Sequence, residues 1–330
     1  MKSLSPSRFV ALASLLFSFP VAAQQFSALP APELPENQTP LADSLAASPF
    51  DASPSIWRGL RTSRPALRAR TVPLPTLPAS FGQTPTEIYP FLRDLAASEP
   101  ARVRLKNYGK SVRGQSLVAV EVRPAVLPKK GLKRLVVICR QHGNEPEATA
   151  SGNRFLKGFL RPQTDLQRRI AARTVLLLVP IANPDGAAIY ERRNAQNVDM
   201  NRDWNRRRSP EVRALVSLVA AWKPHLVVDN HQWLPSHRQP APMAEASGGA
   251  RARSAARLAS RHNAQRGYSL AARNSRSGAS NDLCHRFWGT RAKIPAILIE
   301  TRHNPGVSGA REKAINQAVA ALWGAAESLN

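Results

Sequence analysis

The chain has 330 residues, of which 43% are apolar and 21% charged, the balance of an ordinary soluble protein with ample material for a buried core. Two cysteines exclude a disulfide framework, and neither lies in a CxxC pair, which argues against a cysteine-bound metal. The formal net charge is +25, spread along the chain rather than held in one tail, and it points to a polyanionic partner; arginine-biased composition with solvated charges stays open as the alternative.

Residues 1–25 read MKSLSPSRFVALASLLFSFPVAAQQ. Lys2 and Arg8 precede a short apolar run, and small residues precede Gln24. This predicts a signal peptide over 1–23, and the apolar run is too short to span a bilayer. An exported chain, periplasmic or secreted, is the expectation. No later segment is long enough to span either. For such a chain anionic envelope polymers become the expected partner class and nucleic acid does not, and a monomer is expected. Residues 24–83 are rich in Pro, Ala and Ser and predict a mostly irregular segment.

From Thr84 to the C-terminus one catalytic domain is expected, 84–330. TPTEIYPFLRDLAASEP opens with Thr-Pro, carries Glu87 in its first turn and has apolar residues at helical spacing. The stretch 101–124 reads as two strands around a glycine-containing turn. Apolar runs then alternate with amphipathic segments. RLVVIC precedes a helix through ATASGNRFLKGFL, and TVLLLVPIAN precedes one through SPEVRALVSLVAAW. HLVVDN precedes one through GARARSAARLASRHNA, and IPAILIET precedes a final helix through EKAINQAVAALWGAAESL. This alternation predicts an α/β fold: a mixed, largely parallel sheet with helices on both faces. Cys139 ends an apolar run and reads as a buried strand residue; it and Cys284 are expected as free or buried thiols.

Sites in such sheets form at the carboxyl ends of the strands. Past LVVIC stand His142 and Glu145, past LLLVPI the turn NPDG, past LVVD His231, and at the end of AILI Glu300. Two imidazoles and one carboxylate suit a catalytic zinc with a fourth position left for water. His142 and Glu145 come from one turn, where Gly143 eases a tight backbone, and His231 completes the set. Glu300 is then the spare carboxylate beside the metal water. Each residue has a plainer alternative taken alone: a His142–Glu145 ion pair, a His231 bond to Asp229, a Glu300 pair with Arg302.

Several motifs in this order resemble the zinc carboxypeptidases of the carboxypeptidase A type. HGNE is similar to that family's HxxE zinc pair, and NPDG to the turn after its next strand. VDMNRDW is similar to VDxNRxW, SGASND to the SGxSxD loop, and ILIETR to the strand ending in the catalytic glutamate; DNHQ holds the third ligand position. The resemblance spans about 84–328. It implies one zinc per chain held by His142, Glu145 and His231, with Glu300 as general base. It implies Arg192, with Arg193 as the neighbouring alternative, polarising the scissile carbonyl, where negative charge develops. It implies that Asn201 and Arg202 receive the substrate's terminal carboxylate, and that Asn281 helps set side-chain preference.

Two departures stand out. The family's covering tyrosine is replaced by Asn274 or Arg273, with Tyr268 nearby at an uncertain offset. Asn281 argues against a large apolar pocket and against an acidic pocket for basic side chains. The short NPDG-to-NRD connection resembles bacterial cell-wall peptide amidases, so an acidic or peptidoglycan-derived peptide is the expected substrate. Two other readings stay open: an N-acyl amino acid deacylase similar to succinylglutamate desuccinylase and aspartoacylase, and a non-catalytic, basic envelope-binding protein.

Overall fold

The computed structural model describes residues 73–78, 82–128, 130–233, 241–276, 278–302 and 307–330. The expected signal peptide and most of the segment 24–83 lie outside these. The described part belongs to one compact unit, Arg70–Asn330.

Helix α1 (Pro85–Ser98) starts where Thr84-Pro85 predicts. The Thr84 backbone N–H donates to Glu87 Oε2 at 2.6 Å, satisfying a donor that the first turn leaves open. Strands β1 (Val103–Lys110) and β2 (Ser116–Val122) form the expected antiparallel hairpin. Then come β3 (Lys133–Cys139), α2 (Pro146–Leu160), α3 (Asp165–Arg173), β4 (Thr174–Val179) and α4 (Pro184–Ala188). A 3-10 turn (Met200–Arg202) leads to α5 (Pro210–Trp222), β5 (Leu226–Trp233), β6 (Met243–Ser247), α6 (Gly249–Ala264) and β7 (Ala271–Asn274). The chain ends with α7 (Cys284–Arg286), a π turn (Phe287–Arg291), β8 (Ala296–Arg302) and α8 (Ala310–Glu327).

The eight strands make one sheet in the order β1-β2-β4-β3-β5-β8-β6-β7. Four neighbouring pairs are parallel and three antiparallel, so the sheet is mixed with a parallel centre. Side chains alternate between its faces. Leu135, Val137, Leu176, Leu178 and Val228 pack with α1, α2, α6 and α8. Val136, Ile138, Leu177, Val179 and Val227 pack on the other face with Val212 and Leu215 of α5 and with Trp204, Phe287 and Trp288. Helices on both faces explain why the central strands read as unbroken apolar runs. Leu74 and Leu77 pack against the first core, and Lys157 Nζ donates to the Pro75 carbonyl at 2.9 Å, so residues 73–78 lie on the domain.

The sequence reading misses two strands. β6 is MAEAS, too small and polar to stand out, and β7 is AARN, a four-residue edge strand with little burial. Together they extend the sheet beyond β8. Cys139 and Cys284 are free and fully buried. Burial pushes the Cys139 thiol up to about 12.

Candidate metal centre

Register builds the site. Cys139 of β3 pairs with Asn230 of β5, and His231 of β5 pairs with Glu300 of β8. His231 and Glu300 therefore stand side by side, inside their strands rather than past them. Both strands run two residues further, to Trp233 and Arg302. Their side chains share the face that carries Val227 and Ala296 deeper in the sheet. At that level the α5-side core gives way to polar groups.

The turn after β3 brings His142 and Glu145 over this face. His142 Nδ1 lies 2.6 Å from Glu145 Oε1, and His231 Nδ1 lies 2.8 Å from Glu145 Oε2. One donor atom from each of the three residues lies within 4.8 Å of the others, and all three residues are buried. The imidazole rings are 4.8 Å apart, centroid to centroid. The far nitrogens face carboxylates: His142 Nε2 is 3.0 Å from Asp199 Oδ1, and His231 Nε2 is 2.9 Å from Asp229 Oδ1. Such partners fix ring orientation and leave Nδ1 to face a metal. The plain alternative for His231, a bond to Asp229, is thus present, but on the ring nitrogen away from Glu145.

Gln141 ties three segments together beneath the site. Its Nε2 donates to Asp229 Oδ1 at 2.5 Å, and its Oε1 accepts from Trp204 Nε1 at 2.6 Å. Asp203 accepts from the Ser209 backbone N–H and hydroxyl at 2.8 and 2.9 Å. These bonds hold the segment 198–204, which carries Asp199, Asn201 and Arg202.

Gly143 is needed for a different reason from the one its turn suggests. Its φ is not positive; Arg140 has the left-handed conformation in this turn, with φ 56°. A Cβ on Gly143 would stand 2.1 Å from the Gly186 carbonyl carbon and 2.4 Å from the Glu191 oxygen. HGNE and NPDG are therefore steric partners, their glycines in contact. Asp185 of the second motif accepts from Ser111 Oγ, Gln115 Nε2 and the Arg113 backbone at 2.7, 2.9 and 3.0 Å.

The cavity over the cluster has a volume of about 200 Å³ and is lined by His142, Glu145, Arg192, Asn201, Arg202 and Glu300, among others. Arg192 donates to Asp199 Oδ2 through Nε at 3.2 Å and Nη2 at 3.0 Å, and its Nη1 is 3.9 Å from Glu145. Arg193 instead donates to the Asn197 carbonyl and lines a separate cavity. Asn201 is buried, 3.2 Å from His231 Nε2, and its Oδ1 accepts from the Cys284 N–H at 2.9 Å. Arg202 is exposed at the rim. Asn281 is half-buried and absent from this lining, as are Asn274 and Tyr268. Sequence reasoning offers Asp229 only as a plainer alternative for His231, and it misses Asp199 as the partner of His142 and Glu245, His285 and Arg286 in the cavity wall. Asp199 and Asp229 stand within the quoted motifs VDMNRDW and DNHQ, two residues before Asn201 and His231. Glu245, His285 and Arg286 belong to elements without a sequence signature.

Burial works against every ion here, and the partners decide the direction. Burial alone raises the Glu145 carboxyl, but His142 and His231 hold it well below the carboxylate range. Asp199 is held low likewise, against burial, by His142, Arg192 and Arg202. Burial disfavours the His231 cation, but Asp229 and Glu145 raise its pKa well above the usual value. Glu300 is the exception. Burial pushes its carboxyl well above the ordinary value, His231 pulls it back, and Glu145 and Asp229 push it up again. Its Oε2 is buried with no hydrogen-bond partner, as is Asp229 Oδ2.

This set fits a zinc ion. It offers two imidazole nitrogens and a carboxylate, and it buries Glu145, Asp229 and Glu300, with Asp199 half-buried, around two imidazoles and Arg192. Buried carboxylates at this density, two of their oxygens without a hydrogen-bond partner among the described residues, call for a cation.

An α/β sheet with this cluster at the carboxyl ends of its central strands is the layout of a metal-dependent hydrolase. Residues 88–295 match the family model described as zinc carboxypeptidase, Peptidase_M14, and the chain belongs to that family. Carboxypeptidase 2 of Trichophyton rubrum is 32% identical over 92 residues, 28% of this chain and 17% of that protein; the chain thus matches under a fifth of that relative's length. A metallo-carboxypeptidase from Burkholderia cenocepacia superposes with a TM-score of 0.58 at 18% identity, covering 70% of this chain and 67% of that one. A metallo-carboxypeptidase from Pseudomonas aeruginosa superposes with a TM-score of 0.56 at 24% identity, covering 73% and 69%. At these identities the structural likeness speaks for the fold.

Proposed function

We propose that this chain is an exported zinc carboxypeptidase that hydrolyses the C-terminal peptide bond of cell-wall-derived peptides. The observation that carries the reading is the register pair His231–Glu300: a lone buried carboxylate stands beside a cluster of two imidazoles and one carboxylate. His142, Glu145 and His231 hold the zinc, one per chain. Zinc bound there lowers the pKa of a water molecule and draws electron density from a carbonyl oxygen.

Glu300 takes the proton of the attacking water and returns it to the leaving amine. Arg192, steadied by Asp199, stabilises the negative charge that develops on the scissile carbonyl oxygen. Arg202 and Asn201 bind the terminal carboxylate; the guanidinium offers paired donors that match two carboxylate oxygens. Asn281, in the loop after Ser280, helps set the side-chain preference. Export rests on residues 1–23, and the cell-wall substrate on the short NPDG-to-NRD connection and the basic exterior.

Mass spectrometry of peptide and N-acyl amino acid panels tests this. Loss of one C-terminal residue is expected, and Glu300→Gln should keep zinc while losing about 10²–10⁴-fold in kcat. Release of acyl groups alone supports the deacylase alternative, and a fully active Glu300→Gln enzyme removes Glu300 from its role.

A further inference from the structure

A second cavity, about 360 Å³, adjoins the metal cavity and shares Arg286 with it. The two open along one strand. Met243 of β6 pairs with Glu300, Glu245 with Leu298 and Ser247 with Ala296, and alternate residues of a strand share a face. Met243 and Glu245 line the metal cavity and Ser247 the second one, four residues or ~13 Å further along. Beside the second cavity, Gly248 and Gly289 let the end of β6 and the π turn pack backbone against backbone. A Cβ on Gly248 would stand 2.7 Å from the Gly289 Cα, and one on Gly289 would stand 2.4 Å from the Ser247 carbonyl. Ser247 and Thr290, whose Oγ and Oγ1 are 3.0 Å apart, line the cavity.

The lining charge has one sign. Arg253, Arg276 and Arg286 reach this cavity, and no acidic side chain lines it among the described residues. Arg253 and Arg276 have no acidic partner among the described residues. The one carboxylate at the boundary, Glu245, is already engaged. Its Oε1 accepts from Ser275 Oγ at 2.8 Å, Arg286 Nη2 at 2.8 Å and Nε at 3.2 Å, and lies 3.0 Å from His285 Nε2. Two exposed guanidinium groups with no acidic partner among the described residues therefore line a polar cavity, and a third stands between that cavity and the metal cluster.

We propose that this second cavity receives an acidic side chain on the released C-terminal residue, held by Arg253, Arg276 and Arg286. The assignment rests on the carboxypeptidase reading and adds the substrate class to it. Guanidinium–carboxylate bonds discriminate strongly against a neutral amide of the same shape, which leaves the cations without a counter-charge.

The test uses the zinc-loaded full chain and three peptides that differ only in a C-terminal Glu, Gln or Lys. Glu should be released with kcat/KM about ten- to a hundredfold above Gln, and Lys slowest. Arg253→Gln and Arg276→Gln should each shrink the Glu-to-Gln ratio, while Arg168→Gln, which removes one charge from the distant α3, should leave the ratio as it is. Equal rates for Glu and Gln, or a ratio indifferent to both cavity arginines, overturn the assignment while leaving the peptidase intact. If no peptide is cleaved, the peptidase reading fails, and calorimetric titration with N-acetylglutamate and N-acetylglutamine decides the cavity alone. Binding of the first only, weakened by Arg276→Gln, upholds the cavity; equal or absent binding overturns it.

Discussion

At the scale of single residues, the centre depends as much on the carboxylates behind the imidazoles as on the ligands. Asp199 meets both His142 and Arg192, so it sets the ring that would bind metal and the cation that would meet the carbonyl. Asp199→Asn should weaken zinc affinity about 10–100-fold in a competition titration with a chromophoric chelator; an unchanged affinity means Asp199 is only a surface partner of Arg192. Glu245 gives a second prediction. Burial raises its carboxyl, but bonds from His285, Arg286 and Ser275 hold it at about 2, below its ordinary 4.5. A depressed folded pKa gives stability that is present above pH 4.5 and is lost as pH falls toward 2. Thermal unfolding of the metal-free protein should therefore show a steeper loss of Tm over that window than the Glu245→Gln variant does. Parallel curves count against the tie.

At the scale of elements, the central strands were legible because burial on both faces gives each of them an unbroken apolar run toward its carboxyl end. Their ends were legible because His142, Glu145, His231 and Glu300 break three such runs. What stayed hidden has physical causes. β6 is built of small and polar residues and β7 buries none of its four, so neither an apolar run nor alternation marks them. The same gap hid Glu245, His285 and Arg286, whose meeting depends on β6 lying antiparallel to β8. Gly143 was legible as a residue but not as a contact, since its necessity comes from Gly186, which belongs to the turn after a different strand. Gly143→Ala should cost about 1–3 kcal/mol in denaturant unfolding of the metal-free chain, because backbone rather than a movable side chain blocks the added methyl. A neutral substitution contradicts the packing of HGNE on NPDG.

At the scale of the whole molecule, the chain carries a net charge of +25 while its candidate site is rich in buried carboxylates. Exposed cations attract polyanions in a way that weakens with salt. No helix among the described residues is long and apolar enough to cross a membrane. Export predicts that the mature protein, recovered from its producing cell, begins at Gln24; an intact-mass measurement that retains residues 1–23 contradicts it. The central claim is that two imidazoles and one carboxylate grip a single zinc beside Glu300. Anomalous diffraction at the zinc absorption edge, from crystals of the purified protein, tests it most directly. One peak within bonding distance of His142 Nδ1, His231 Nδ1 and the Glu145 carboxylate is the predicted result; zinc bound elsewhere, or no peak at these three side chains, contradicts it.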